Sequence, residues 1–89
     1  MIKFDEALIY SPCISWGEIN NEVFVFDELQ GGIYLLRKVE REIWKLIEQR
    51  HTKASIVDSV QKNCNVEVDK ILKIIAKFQE EGLVKEAKL

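Results

Sequence analysis

Two cysteines, one histidine and one glycine pair are the residues of this chain with the most chemistry to offer. Cys13 and Cys64 lie far apart, and neither belongs to a C-x-x-C pair. His51 is the only histidine, so the ligand set of a zinc or other first-row metal site is not present as a motif. A nucleophilic Cys/His arrangement would need His51 beside one of the cysteines, and no signature surrounds any of the three. Gly31-Gly32 stands between two apolar runs, whereas a phosphate-cradling loop joins a strand to a helix. No two carboxylates stand out as an acid and its base. These residues predict a protein that is not an enzyme and holds no cofactor and no metal. Both cysteines are expected to be reduced, small packing residues. His51, just past a helix end, is expected to be a dipole partner or a surface residue.

The totals narrow the class. At 89 residues with 47% hydrophobic, the chain reads as one domain over residues 1–89 with its core at about 13–84. One Pro and four Gly argue against a linker or a low-complexity segment. The net charge of −2 weighs against nucleic acid as a partner, since phosphate neutralisation supplies much of that affinity. No apolar run is long enough to span a bilayer, and Lys3, Asp5 and Glu6 interrupt any signal peptide, so a soluble cytoplasmic protein is expected, with no membrane partner.

The most informative residues lie late in the chain. Val68, Ile71, Leu72, Ile74, Ile75 and Phe78 fall on an arc of roughly 160° at helical spacing. Lys70, Lys73 and Lys77 sit beside its Ile74 edge. One reading is a buried helix with a solvated lysine row. The other is a groove, with part of the arc facing a sheet and part lining a binding cleft flanked by lysines.

The elements that would position this arc follow from the pattern. Residues 1–11 read as an arm or a short edge strand, ended by Pro12. Alternation in residues 13–19 and the run Glu22-Val23-Phe24-Val25-Phe26 predict two antiparallel strands joined at Asn20-Asn21, residues that tolerate the left-handed conformation of a tight turn. A second turn ends in Gly31-Gly32, where the glycine pair is expected to supply positive φ. Ile33-Tyr34-Leu35-Leu36 is the third strand. A sheet this small needs a covering layer. Val39, Ile43, Leu46 and Ile47, widened by Trp44, predict a helix over residues 38–50. Thr52 is an N-cap for a second helix that buries Ile56, Val57 and Val60 and breaks at Asn63-Cys64-Asn65. The third helix runs from Val66 or Glu67 to Glu81. Gly82 follows as its left-handed C′ residue, and Leu83 and Val84 return to the core. The fold class is therefore α+β and winged-helix-like, a three-stranded antiparallel sheet followed by three helices.

In this order, "EVFVFD", "LQGGIYLL", "EREIWKLIE", the Thr52 helix start and "IIAKFQEEGLV" resemble the PqqD-like family, the recognition elements for precursors of ribosomally synthesised, post-translationally modified peptides. The resemblance spans residues 14–84. It departs at Leu36-Arg37, where many members carry Leu-Asn and the Asn caps the first helix; Arg37 cannot cap that way. The resemblance implies capture of a precursor's leader peptide. The leader would add as a strand beside Gly32, Ile33, Tyr34, Leu35 and Leu36 and lie against Val68, Ile71, Ile74, Ile75 and Phe78 of the third helix. An open strand edge suits such a peptide, because its unpaired N–H and C=O groups can be met by extended backbone. Leaders are often acidic, so Lys70, Lys73 and Lys77 could steer them. The implied partners are the leader peptide and a separate modifying enzyme, such as a radical SAM enzyme or a leader protease with its cyclase. Self-association through the open edge is left open.

Two other readings compete. Residues 52–82 would pass as the helix-turn-helix of a winged-helix DNA-binding regulator. The strands, however, precede the helices, and the third helix offers no Arg/Asn/Gln reading face. A plain subunit-interface domain is the third reading, and it is compatible with peptide capture.

Overall fold

The computed structural model describes residues 7–49 and 51–87. The elements run β1 (Leu8–Tyr10), β2 (Ile14–Ile19), β3 (Glu22–Asp27), β4 (Ile33–Leu36), α1 (Val39–Glu48), α2 (Lys53–Cys64), α3 (Val68–Glu80) and β5 (Val84–Glu86). Strands β2, β3 and β4 form an antiparallel sheet in chain order. The α+β, winged-helix-like order of three sheet strands followed by three helices is thus as expected. The arm proves to contain a strand, but not one of that sheet. Leu8–Tyr10 pairs with β5 as a separate antiparallel ribbon, with Tyr10 opposite Val84. Phe4 and Arg50, assigned to the arm and to the first helix, lie outside the described residues.

The turns set the sheet register. Asn20 and Asn21 have φ of 53° and 64°, the double positive φ that a two-residue type I′ hairpin requires. The second turn works differently from the expectation. Only Gly31 has positive φ, at 80°. Gly32 lies instead against the Tyr34 ring, where an added Cβ would come within 3.4 Å of its edge carbon. Asp27 organises the turn. Its carboxylate accepts the N–H groups of Leu29 (3.0 Å) and Gln30 (3.1 Å), and its own N–H donates to the Gly32 carbonyl at 2.8 Å. This explains why a carboxylate can be buried at a strand end.

Strand alternation divides the sheet into two faces. Val23, Val25 and Leu36 are buried on the inner face, and Ile14, Trp16 and Tyr34 pack beside them. The covering layer is the helices. Ile43, Trp44 and Ile47 of α1, Ile56 and Val60 of α2, and Ile71, Ile75 and Phe78 of α3 complete one core with Leu8, Leu83 and Val84. Trp44 is its centre. Tyr10 stacks on it at 4.4 Å, Phe78 meets it edge-on at 5.5 Å, and the Tyr10 hydroxyl donates to the Trp44 carbonyl at 2.7 Å. Burial, with the negative charge of Glu48, raises the Tyr10 hydroxyl well above the ordinary phenol range.

Helix ends follow their signals with one exception. Thr52 Oγ1 accepts the Ser55 N–H at 3.1 Å. Asn65 closes α2 in the left-handed region, one residue after Cys64, so the break falls at the end of the expected Asn-Cys-Asn run. Gly82 has φ of 75°, and the Leu83 N–H reaches the Phe78 carbonyl at 2.9 Å, as in a Schellman closure. The exception is α1, which starts after Lys38 at φ 53° with no side-chain cap. His51 Nδ1 lies 3.1 Å from the Leu46 carbonyl, at the negative end of α1. Both cysteines are free. Cys64 packs on the core, but Cys13 is exposed, contrary to the expectation that both pack, because it precedes β2 and leaves the core-facing position to Ile14.

Candidate functional site

The site begins with backbone. β4 has a strand partner on one side only, β3, so its other edge is open among the described residues. The Asp27 N–H bonds the Gly32 carbonyl, which directs Gly32, and by alternation Tyr34 and Leu36, toward β3. The N–H and C=O groups of Ile33 and Leu35 therefore face the open edge. Their side chains stand on the outer face of the sheet, 70% and 40% exposed. Tyr34 and Leu36 point the other way, toward the helices.

The helical side of the site comes from α3. Ile71, Ile75 and Phe78 are at most 2% exposed. They form the floor of the core beneath the site and leave almost no surface for a ligand, so the wide apolar arc is mostly core. At about 100° per residue, Ile74 falls on one flank of this buried stripe, while Val68 and Leu72 fall on the other. Tyr34 shows which flank faces the sheet. Its phenol feels the negative charge of Glu81, which shares the Ile74 flank. Partial burial first, and then the charges of Glu81 and Asp27, raise the Tyr34 phenol above its usual value.

Behind the β4 edge at Ile33 and Leu35, Leu36 is buried in the core and Tyr34 packs on it, as does half-buried Ile74, and helical rotation puts Lys70 and Lys77 on the Ile74 flank of α3. The structure does not bring in Val68, which sits beyond the buried stripe. Lys73 is rotated about 100° from Ile74 toward solvent. A shallow hollow lined by Ile9, Gln79, Val84 and Lys85 lies on the Val68 side, away from β4. Glu81 went unnoticed in the sequence, although its place four residues after Lys77 and seven after Ile74 is the signal that puts it on this flank.

Charges pin the scaffold around the site. Glu18 of β2 accepts Arg41 at 2.8 Å and Lys45 at 3.0 Å from α1. These hydrogen bonds lower the Glu18 carboxyl below its ordinary value. Glu22 pairs with Arg37 just past β4. Lys53 meets Glu86 at 3.1 Å, tying α2 to β5. Among the described residues no three His, Cys, Asp or Glu side chains gather as a metal site, and no helix is long and apolar enough to cross a membrane.

A small antiparallel sheet with an open last strand, backed by three helices, defines a winged-helix-like α+β domain class. Two solved structures share it. One is TbiB1 in complex with the TbiA(beta) leader peptide, with a TM-score of 0.79 and 19% identity, covering 91% of this chain and 99% of that one. The other is lasso peptide synthetase B1 complexed with the leader peptide, with a TM-score of 0.77 and 17% identity, covering 88% and 96%. At these identities the likeness is one of fold. No family model and no curated protein matches the chain.

Proposed function

We propose that this chain is a peptide-recognition domain that captures the leader region of a ribosomally made precursor by strand addition to β4. The bound segment lies against the Ile74 flank of α3 and is presented to an enzyme that modifies the precursor. The observation that carries this reading is the open β4 edge, in a fold shared with two solved leader-peptide complexes. The chemistry suits it. Ile33 and Leu35 offer two N–H and two C=O groups, each worth about 0.5–1.5 kcal/mol net when met by an extended peptide. Alternate peptide side chains then reach Tyr34 and Ile74, which set specificity, while Lys70 and Lys77 favour an acidic leader. The role is capture, not catalysis, and neither a cofactor nor a metal takes part. The enzyme it serves could be a radical SAM enzyme or a leader protease with its cyclase.

DNA binding is less well supported. The net charge is −2, and Asp69 and Glu80 stand exposed among the lysines of α3. The test is an amide NMR titration of the labelled chain with a leader peptide from a short precursor encoded beside it, run against duplex DNA. Shifts confined to residues 32–36 and the Ile74 flank, saturating at micromolar peptide, are expected. A silent peptide titration with DNA shifts along 52–78 would overturn the proposal.

A further inference from the structure

The outer face of the sheet carries a feature that peptide capture at the β4 edge leaves unused. Register places Phe26 between Ser15 and Ile33, and Phe24 between Gly17 and Leu35. All of these side chains stand on the face away from the helices. Phe24 is 39% exposed, Phe26 40%, Leu35 40%, Ile33 70% and Ile19 62%. Nothing among the described residues covers them. With a large apolar side chain at about 200 Å², these five leave on the order of 500 Å² of contiguous apolar surface in water, at the upper end of what a monomer shows.

The shape of this face is ordered. β2 contributes the small residues Ser15 and Gly17, with Ile19 at its end, and nothing lies within 4 Å of where a Gly17 Cβ would stand. β3 contributes a phenylalanine ridge, and β4 contributes a branched aliphatic ridge. A two-fold axis along β3 would set two such faces together. Each Ile33 would then sit over Ser15 of the second copy and each Leu35 over its Gly17, while Phe24 and Phe26 would meet their own copies at the axis. The ridge fills the trough on both sides, so the surface is complementary to itself, as an isologous dimer requires. Two apolar patches of this size bury on the order of 1,000 Å² before the Ser15–Gly17 trough and the Glu22 and Arg37 rim are counted, which meets the threshold of about 1,000 Å² for a specific interface. The sheets would pack in the aligned manner of a β-sandwich.

We infer that two copies of this chain pair face to face through the outer surface of β2-β3-β4, leaving both β4 edges free. The pairing does not depend on the peptide-capture reading. Sedimentation velocity from about 1 µM to about 1 mM tests it, with each variant's amide spectrum confirming its fold. A concentration-dependent dimer is expected, with F24K weakening self-association at least about tenfold by placing a charge on the axis. Gly17→Leu discriminates further. It adds apolar surface, which would strengthen a merely sticky patch, yet it fills the trough that receives Leu35 and must weaken an ordered dimer. A chain that stays monomeric at about 1 mM overturns the inference, leaving the face to a different protein. So does a dimer that F24K leaves intact or that Gly17→Leu strengthens. A dimer that saturating leader peptide dissociates also overturns it, since that behaviour marks pairing through the β4 edge.

Discussion

Ile33→Pro is the sharpest probe of strand addition, because it removes one backbone donor from the open edge and leaves the rest of the chain in place. Ile33 is the first residue of β4, and its N–H faces away from β3, the position where a strand tolerates proline. Its side chain is 70% exposed, so little apolar burial is lost. The fold should keep its amide pattern and lose less than about 1 kcal/mol of stability. Binding is a different matter. One N–H donor to the peptide disappears, at about 0.5–1.5 kcal/mol net, and the pyrrolidine ring occupies the space that the peptide carbonyl would enter, which raises the loss to about 1–3 kcal/mol. At 1.4 kcal/mol per tenfold, the leader Kd should rise about 5- to 150-fold. Isothermal titration of the leader peptide into wild type and variant reads this directly. A folded Ile33→Pro chain that binds with unchanged Kd would refute β4 as the docking edge.

Other outcomes follow from the same geometry. Ile74→Ala should weaken leader binding while costing under about 1 kcal/mol of stability, whereas Ile75→Ala should cost about 2–5 kcal/mol in denaturant unfolding because it leaves a core cavity; reversed effects would misplace the site on α3. Lys77→Glu should raise the leader Kd about two- to fivefold and flatten its salt dependence, while Lys73→Glu should do neither; equal effects would show that the lysine row acts only through net charge. Both tyrosines, Tyr10 and Tyr34, have raised phenols, so ultraviolet titration of the native chain should show both ionising above the ordinary phenol midpoint of 10.0. The unfolded chain releases those protons first, so stability should fall as pH rises above about 10. Glu18 acts at the other end: its lowered carboxyl contributes stability above its ordinary value of 4.5 that is lost as pH falls below it, and Glu18→Gln should flatten that acid limb of the unfolding curve.

Local signals carried the frame of this protein in its sequence. Thr52 capped its helix, Asn20-Asn21 made its hairpin, and Gly82 closed α3, because each acts on neighbours a few residues away. The alternation of Glu22–Asp27 and the helical spacing from Val39 to Ile47 likewise gave the elements and their buried faces. What only the tertiary structure decided was which side of each element met what. The arc on α3 looked like a groove wall, but α1, α2 and β5 converge on it and take Ile71, Ile75 and Phe78 into the core. The β1–β5 ribbon joins the two ends of the described chain, a pairing of three-residue strands with no signal short enough to read. Helical periodicity placed Glu81 near Ile74 but could not place Tyr34 within reach of the Glu81 charge. Peptide edge and outer face alike depend on strand register, a long-range quantity that two turns and one buried carboxylate fix only once the sheet has formed.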